Sequence, residues 1–375
     1  MNRFLCVLMW LLVAGCHTTR QADIISFNDT KNYPYIDLKL SDVADIEYIK
    51  LNHPDQDIFL RGFSNKGRNL FIGNNRMYIL DGDRRIVIYD RRGNFISMID
   101  TRGRGPREYL SVPQFAVDTL TNNLIIFDQQ GRKNLFYDLD GTFREEFLYE
   151  NRKMTSFFSM GMLHSHLIAY TFTRTDSLLA MINPMKGERL DIPLTYAKPY
   201  IHDYDGILAY SNLIDTKDGK FLFNFRSDTL YYIDTTLRVT PRFVDKTPYG
   251  SDNIQMYPTV ETDKYVFFVT LFSTINVPNG KLKFHVYDKE LRQFFRLKQF
   301  STRPNDRNSY QLALINDFIE INWQTITMNY QYAATFLEPD FLIENYQNLP
   351  SQLKELTEDI DMFDNPILML IKFRD

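Results

Sequence analysis

The chain has 375 residues, 44% hydrophobic, 15% aromatic and 24% charged, with a formal net charge of −4 at pH 7. That is ample for a large core, and the scattering of lysine and arginine among acids excludes the basic stripe that nucleic-acid binding requires. The two cysteines, Cys6 and Cys16, lie at the N-terminal end, so the body that follows has no disulfide framework, zinc site or cysteine nucleophile.

The N-terminus has the pattern of a secretory leader. Arg3 supplies a positive n-region, residues 4–13 a short apolar stretch, and Val13-Ala14-Gly15-Cys16 small residues before a cysteine. The apolar run is too short to span a bilayer. Its junction resembles a bacterial lipobox, which implies a signal peptide over 1–15 and a lipid on Cys16, hence a membrane attachment. An ordinary secretory signal or an uncleaved anchor is the plainer alternative. Residues 17–30 are polar and aperiodic, so 16–34 reads as a tether and 35–375 as the folded domain.

Strand patterns dominate the rest. Residues 44–51 alternate with period two. Two cassettes follow: Arg76 to Asp81, Arg85 to Asp90 and Gly93 to Ile96, then Asn123 to Asp128, Leu135 to Asp138 and Gly141 to Phe143. Tyr89, Asp90, Gly93 and Phe95 recur 48 residues later as Tyr137, Asp138, Gly141 and Phe143. A period of about that size, made of short strands, predicts an all-β propeller with one blade per repeat. Looser pairs follow at 167–171 with 178–182, 220–225 with 230–234, and 265–270 with 282–288. Several of these strands are apolar on both faces, as at Phe267-Phe268-Val269, which suits blades stacked face to face. Residues 340–345 and 351–356 have helical character, with Ser351 as the expected N-cap. The chain ends in an apolar strand, Pro366 to Phe373. Strands within 36–51 and 366–373 are predicted to complete one shared blade, because an open seam would leave exposed edges.

The loop Gly103-Arg104-Gly105-Pro106-Arg107-Glu108-Tyr109 separates the two cassettes. Together with the lipobox, the Tyr-Asp-x-x-Gly-x-Phe turns and the Asn-Pro-Ile-Leu-Met-Leu-Ile-Lys ending, it resembles the six-bladed β-propeller lipoproteins of Bacteroidota. Arg107 stands where that family has glycine, and Glu320-Ile321-Asn322-Trp323 departs from its pattern. The resemblance implies six blades and a cell-envelope location, the outer membrane foremost. It implies no catalytic residues.

Candidate chemistry is sparse. Arg102, Arg104 and Arg107 place three guanidiniums beside glycines, which suits a carboxylate, phosphate or sugar ligand. The alternative is a structural crossover, with Gly103 and Gly105 for unusual φ and Glu108 pairing an arginine. Trp323, Tyr330 and Tyr332 could stack on a sugar or pack the last blade. His164 and His166, two apart, would share a strand face and could chelate a metal, or simply face solvent. Asp138-Leu139-Asp140-Gly141 and Asp203-Tyr204-Asp205-Gly206 read as turns rather than calcium loops, and the strand-closing aspartates as turn caps. No cofactor or metal is implied. A binding module for a glycan or partner protein leads; a hydrolase of lactone, ester or polysaccharide with a channel metal is the alternative, and a structural subunit of an envelope complex the third.

Overall fold

The structure, a computed structural model, describes residues 24–52, 60, 70–73, 75–110, 115–149, 159–172, 177–194, 213–223, 227–248, 254–272, 283–297, 327–328 and 332–374. They build a six-bladed β-propeller. Blade one comprises Leu70–Ile72, Arg76–Leu80, Ile86–Asp90 and Phe95–Ile99. Blade two comprises Phe115–Asp118, Asn123–Asp128, Lys133–Tyr137 and Phe143–Leu148. Blades three, four and five start at Ser159–Leu163, Leu213–Thr216 and Ile254–Glu261. The first strands of blades two to five touch in succession, so they line the axis and the last strands lie outermost.

The ring closes as the sequence predicts. The sixth blade takes Thr327–Met328, Tyr332–Leu337 and Ile367–Phe373 from the C-terminal end, and its outermost strand from the N-terminal end. That strand, β3 (Ala44–Lys50), pairs antiparallel with Ile367–Phe373 along its whole length.

The tether expectation is corrected for 24–34. Strand β1 (Ile25–Phe27) pairs parallel with the outermost strand of blade four, and β2 (Tyr35–Ile36) pairs parallel with that of blade five. A four-residue helix, α1 (Leu40–Val43), then leads into β3. The N-terminal segment thus runs outside three consecutive blades, covering two edges and supplying the third. Unpaired edge N–H and C=O groups are thereby satisfied. Phe27 is fully buried among Tyr33, His285 and Phe294, so apolar packing accompanies the pairing. Residues 16–23 lie outside the described set.

The core is divided into layers between blades, and this explains strands apolar on both faces. In Asn123–Asp128, Leu124 and Ile126 pack toward blade one while Ile125 and Phe127 pack toward blade three. Phe267 and Phe268 likewise enter different layers. Period-two alternation is present but points at two cores instead of core and solvent.

Two short helices, α2 (Pro339–Glu344) and α3 (Ser351–Leu356), interrupt the closing blade, and Leu342 and Leu353 are buried against it. Ser351 is the first helical residue rather than the N-cap. Pro350 holds that place, and its carbonyl accepts the Leu353 N–H at 3.0 Å.

The repeated cassette is the hairpin joining third and fourth strands. Asp90 Oδ1 accepts the N–H groups of Arg92 and Asn94, and Asp138 Oδ1 those of Asp140 and Thr142. Gly93 and Gly141 follow with φ of 84° and 86°. Asp81, Asp128, Asp234 and Asp288 cap their own turns through backbone N–H groups in the same manner.

Candidate functional site

Residues 100–110 lead from the last strand of blade one toward the first strand of blade two. The loop is locked by its own groups. Gly103 N–H donates to the Tyr109 carbonyl at 3.1 Å, Tyr109 N–H to Thr101 at 2.9 Å, and Gly105 N–H to Glu108 Oε2 at 2.7 Å. Tyr109 is fully buried and its hydroxyl donates to the Arg84 carbonyl at 2.9 Å, tying the loop to blade one. Burial pushes that phenol's pKa up, so it stays a neutral donor. On the other side, Asp128 accepts the Leu110 N–H at 3.0 Å, and the Lys133 ammonium donates to the Gly105 carbonyl at 3.0 Å.

Two details of the structural reading are corrected. Gly103 and Gly105 do not have positive φ; Gly103 leaves room for the Glu108 carboxylate, on which a Cβ would fall. Glu108 makes no arginine ion pair among the described residues, because its carboxylate is turned inward onto the Gly105 N–H.

The three arginines do not converge. Arg102 is tied to Asp100 at 2.9 Å, Arg107 lies 5.2 Å above the Phe143 ring, and Arg104 makes no hydrogen bond or ion pair among the described residues. All three are exposed. The partners Lys133, Glu146 and Phe143 belong to the third and outermost strands of blade two. The loop's arginine-bearing part therefore sits over the outer half of the blade junction.

Lys133 links the loop to a feature that is silent in the sequence. Between blades two and three lies a narrow cleft with room for about one water molecule. Its walls are Phe127, Met160, Leu167 and Ile182, and its polar groups include Arg132, Asn134 and Tyr149. Asn134 is 1% exposed, and its Nδ2 donates to the Pro184 carbonyl at 3.3 Å. Its Oδ1 is buried and accepts no hydrogen bond. The Tyr149 hydroxyl lies within hydrogen-bonding reach of the same amide, and burial pushes its pKa up. Nothing local signals this site, because its walls come from two blades.

His164 is not on a strand: it and Ser165 form the tight hairpin turn, with φ of 44° and 54°, so the shared strand face is corrected. His166 Nδ1 lies 3.0 Å from the His164 carbonyl. No trio of His, Cys, Asp or Glu converges among the described residues. Tyr332 packs between the closing blade and blade one, with the Arg91 guanidinium 5.1 Å from its ring centroid. Trp323, Tyr330, Asp203, Asp205 and Cys16 lie outside the described residues.

His285, uninformative as a residue in sequence, is fully buried. Its Nδ1 is 2.9 Å from Thr270 Oγ1, and its Nε2 is 3.7 Å from Asp29 Oδ1. Lys283 Nζ donates to the other Asp29 oxygen at 2.5 Å. Burial foremost, then Arg296 and Lys283, hold the imidazole pKa down to about 3.

In comparison with known proteins, a family model described as a domain of unknown function, DUF4934, matches residues 22–372. Among solved structures, a Bacteroides fragilis protein described as a "putative exported protein" is similar, with a TM-score of 0.65 and 18% identity, over 94% of this chain and 100% of that one. A DUF4221 member from Bacteroides vulgatus is 10% identical with a TM-score of 0.45, over 88% of this chain and 97% of that one. No curated protein matches in sequence.

Proposed function

We propose, from the premise that the chain belongs to the DUF4934 family of domains of unknown function, that it is a lipid-anchored envelope propeller that binds a glycan or a partner protein. Residues 1–15 act as the signal peptide and Cys16 carries the lipid, with the outer membrane as the destination. The first strand, β1, starts at Ile25, nine residues after Cys16, a reach of about 30 Å at most. The module is therefore held close to the bilayer.

One observation carries the binding role. In the loop 103–109, holding the backbone and presenting charge fall to different residues. Glu108, Tyr109 and Lys133 hold the backbone in place, while Arg104 and Arg107 stay exposed. A preorganised backbone with exposed guanidiniums suits recognition of an anionic or polyhydroxylated ligand at low entropic cost. A purely structural crossover has no use for Arg104.

The test is a triple variant, Arg102, Arg104 and Arg107 each to Ala, set against the native protein on a glycan array and in capture from envelope extracts. Loss of binding with an unchanged unfolding transition supports the reading; full retention overturns the site. Membrane fractionation of Cys16→Ser checks the anchor, which should be lost. Stoichiometric calcium in the purified native protein would instead favour a hydrolase with a channel metal.

A further inference from the structure

Resting on the binding-module reading, we infer that the arginine loop is the centre of a longer basic track that takes an anionic polysaccharide chain. The track follows the junction of blades one and two. Arg84 and Arg132, on the hairpins that flank the loop, are its outer contacts, and Arg104 and Arg107 its middle.

Topology brings these four residues to one face. In a four-stranded antiparallel blade, the turn between second and third strands emerges at the same end as the connection leaving the outermost strand. Arg84 lies in that turn of blade one and Arg132 in that of blade two, while residues 100–110 leave the outermost strand of blade one. Hydrogen bonds join the three segments. The Tyr109 hydroxyl donates to the Arg84 carbonyl at 2.9 Å, and Lys133, next to Arg132, donates to the Gly105 carbonyl at 3.0 Å. The loop is thus bonded to a hairpin on either side.

Charge is the second observation. Segments 81–85, 100–110 and 128–133 carry seven cations and five acids, in a chain whose net charge is −4. Each of those acids is committed within the fold. Asp81 and Asp83 pair with Arg85, Asp100 with Arg102, Glu108 holds the Gly105 N–H, and Asp128 holds the Leu110 and Gly131 N–H groups. Arg84, Arg104 and Arg132 are exposed, and their side chains make no hydrogen bond or ion pair among the described residues. Arg107, also exposed, lies over the Phe143 ring and has no acidic partner among the described residues. The turns themselves do not call for arginine. Arg84 and Arg132 have φ of 63° and 54°, a region that glycine or asparagine adopts more readily.

The chemistry narrows the occupant. Guanidinium forks match carboxylate or sulfate groups, and arginines on hairpins of two blades call for a ligand that repeats its anion. A folded acidic protein would need an apolar, often aromatic centre, and Leu110 is the one large apolar side chain these segments expose. A nucleic acid would need a broader basic surface and rings to stack its bases, but Tyr109 is buried and Phe143 lies beneath Arg107. A lipid surface is disfavoured by β1. Outermost strands run toward the arginine face and β1 is parallel to one of them, so the chain enters β1 from the side of the opposite face. On the anchored reading the arginines are turned from the bilayer.

The experiment is calorimetry on the detergent-solubilised full-length protein. The probes are polygalacturonate, dextran sulfate, neutral dextran, D-galacturonate, polyglutamate and a single-stranded DNA oligonucleotide. Polygalacturonate or dextran sulfate should bind, about tenfold or more tightly per acidic group than D-galacturonate, and neutral dextran should not. Arg84→Asn with Arg132→Asn should weaken this binding by about fivefold or more. The same variant should keep or raise its unfolding midpoint, because asparagine accepts the left-handed backbone. Arg92→Asn with Arg292→Asn removes equal charge from exposed third-to-fourth-strand turns on the opposite face, and should change binding by less than about twofold. Equal losses in the two double variants overturn the inference, since net charge alone would then act. So does polyglutamate or the oligonucleotide binding as tightly as the polysaccharides. Binding unchanged in the Arg84 and Arg132 variant overturns the track, and if the Arg102, Arg104 and Arg107 triple variant still loses it, the loop reading survives. Absence of polysaccharide binding in a protein that captures a neutral glycan or an envelope partner overturns the inference alone. Absence of all binding overturns both.

Discussion

The α-carbon of Gly93 rests against the carbonyl oxygen of Lys50, with no room for a side-chain carbon between them. This contact lies where blade one meets β3 of the closing blade, and Asn52 N–H donates to the Gly93 carbonyl at 2.8 Å. The same hairpin recurs on blade two, where Gly141 sits on Ser97 and Ile88 of blade one, and in the one-residue-longer turn of blade three Gly187 sits on Phe147 of blade two. The turn that gives the sequence its period is also a joint between neighbouring blades.

Gly93→Ala should cost roughly 2–4 kcal/mol, from the left-handed backbone and from overpacking against backbone oxygen. Gly93→Asn, which accepts the φ but not the contact, should be about as damaging. Gly73→Ala, where φ is not positive and the nearest atoms are at ordinary contact distance, should shift stability by less than about 1 kcal/mol. Urea midpoints of the three variants decide it. If Asn restores most of the loss, the close approach at the seam is unimportant.

For the loop, Glu108→Ala should lower the unfolding free energy by about 1–2 kcal/mol, as expected for loss of a charge-assisted bond to a backbone N–H. Glu108→Gln retains an acceptor for Gly105 and should cost less than half as much. Equal losses in the two would show that charge, not the hydrogen bond, organises the loop.

How much of this is legible in the chain depends on the turn. Blades one and two announce themselves because Gly93 and Gly141 occupy the positive-φ position three residues after Asp90 and Asp138. In blade four the same position after Asp234 is Leu237, with a φ of 65°, and Asp234 still caps the turn through Thr236 and Arg238. The backbone repeats while the residue type does not, so the period fades in the sequence. The site divides in the same way. The arginine-glycine loop is contiguous and readable. The cleft is not, because Asn134 and Met160 are ordinary strand residues until two blades face each other. Nor is β1, whose three residues are too few to show an alternation.

The N-terminal segment should behave as part of the fold. Phe27→Ala removes a fully buried ring from the layer between blades four and five and should cost about 3–5 kcal/mol. Chemical denaturation monitored by tryptophan-independent far-UV dichroism would report it. A change below about 1 kcal/mol would mean that 24–34 is a tether after all.

The buried His285 gives the protein a defined acid limit. Thr270, Lys283, Arg296 and Asp29 surround the imidazole, and burial with the two cations keeps it neutral when folded, its pKa down to about 3. The unfolded chain takes up that proton near the ordinary histidine value of about 6.5. Stability from this group is therefore complete above about pH 6.5 and is lost as pH falls toward 3, with a limiting slope of about 1.4 kcal/mol per pH unit. Other acids also titrate in this window, so the diagnostic quantity is a difference. His285→Phe should lower stability at neutral pH, since Thr270 loses its partner, but it should flatten the slope between pH 6 and 4 by about that amount. Parallel pH profiles for the native protein and the variant would show instead that the imidazole is protonated in the folded state and that Asp29, not burial, governs it.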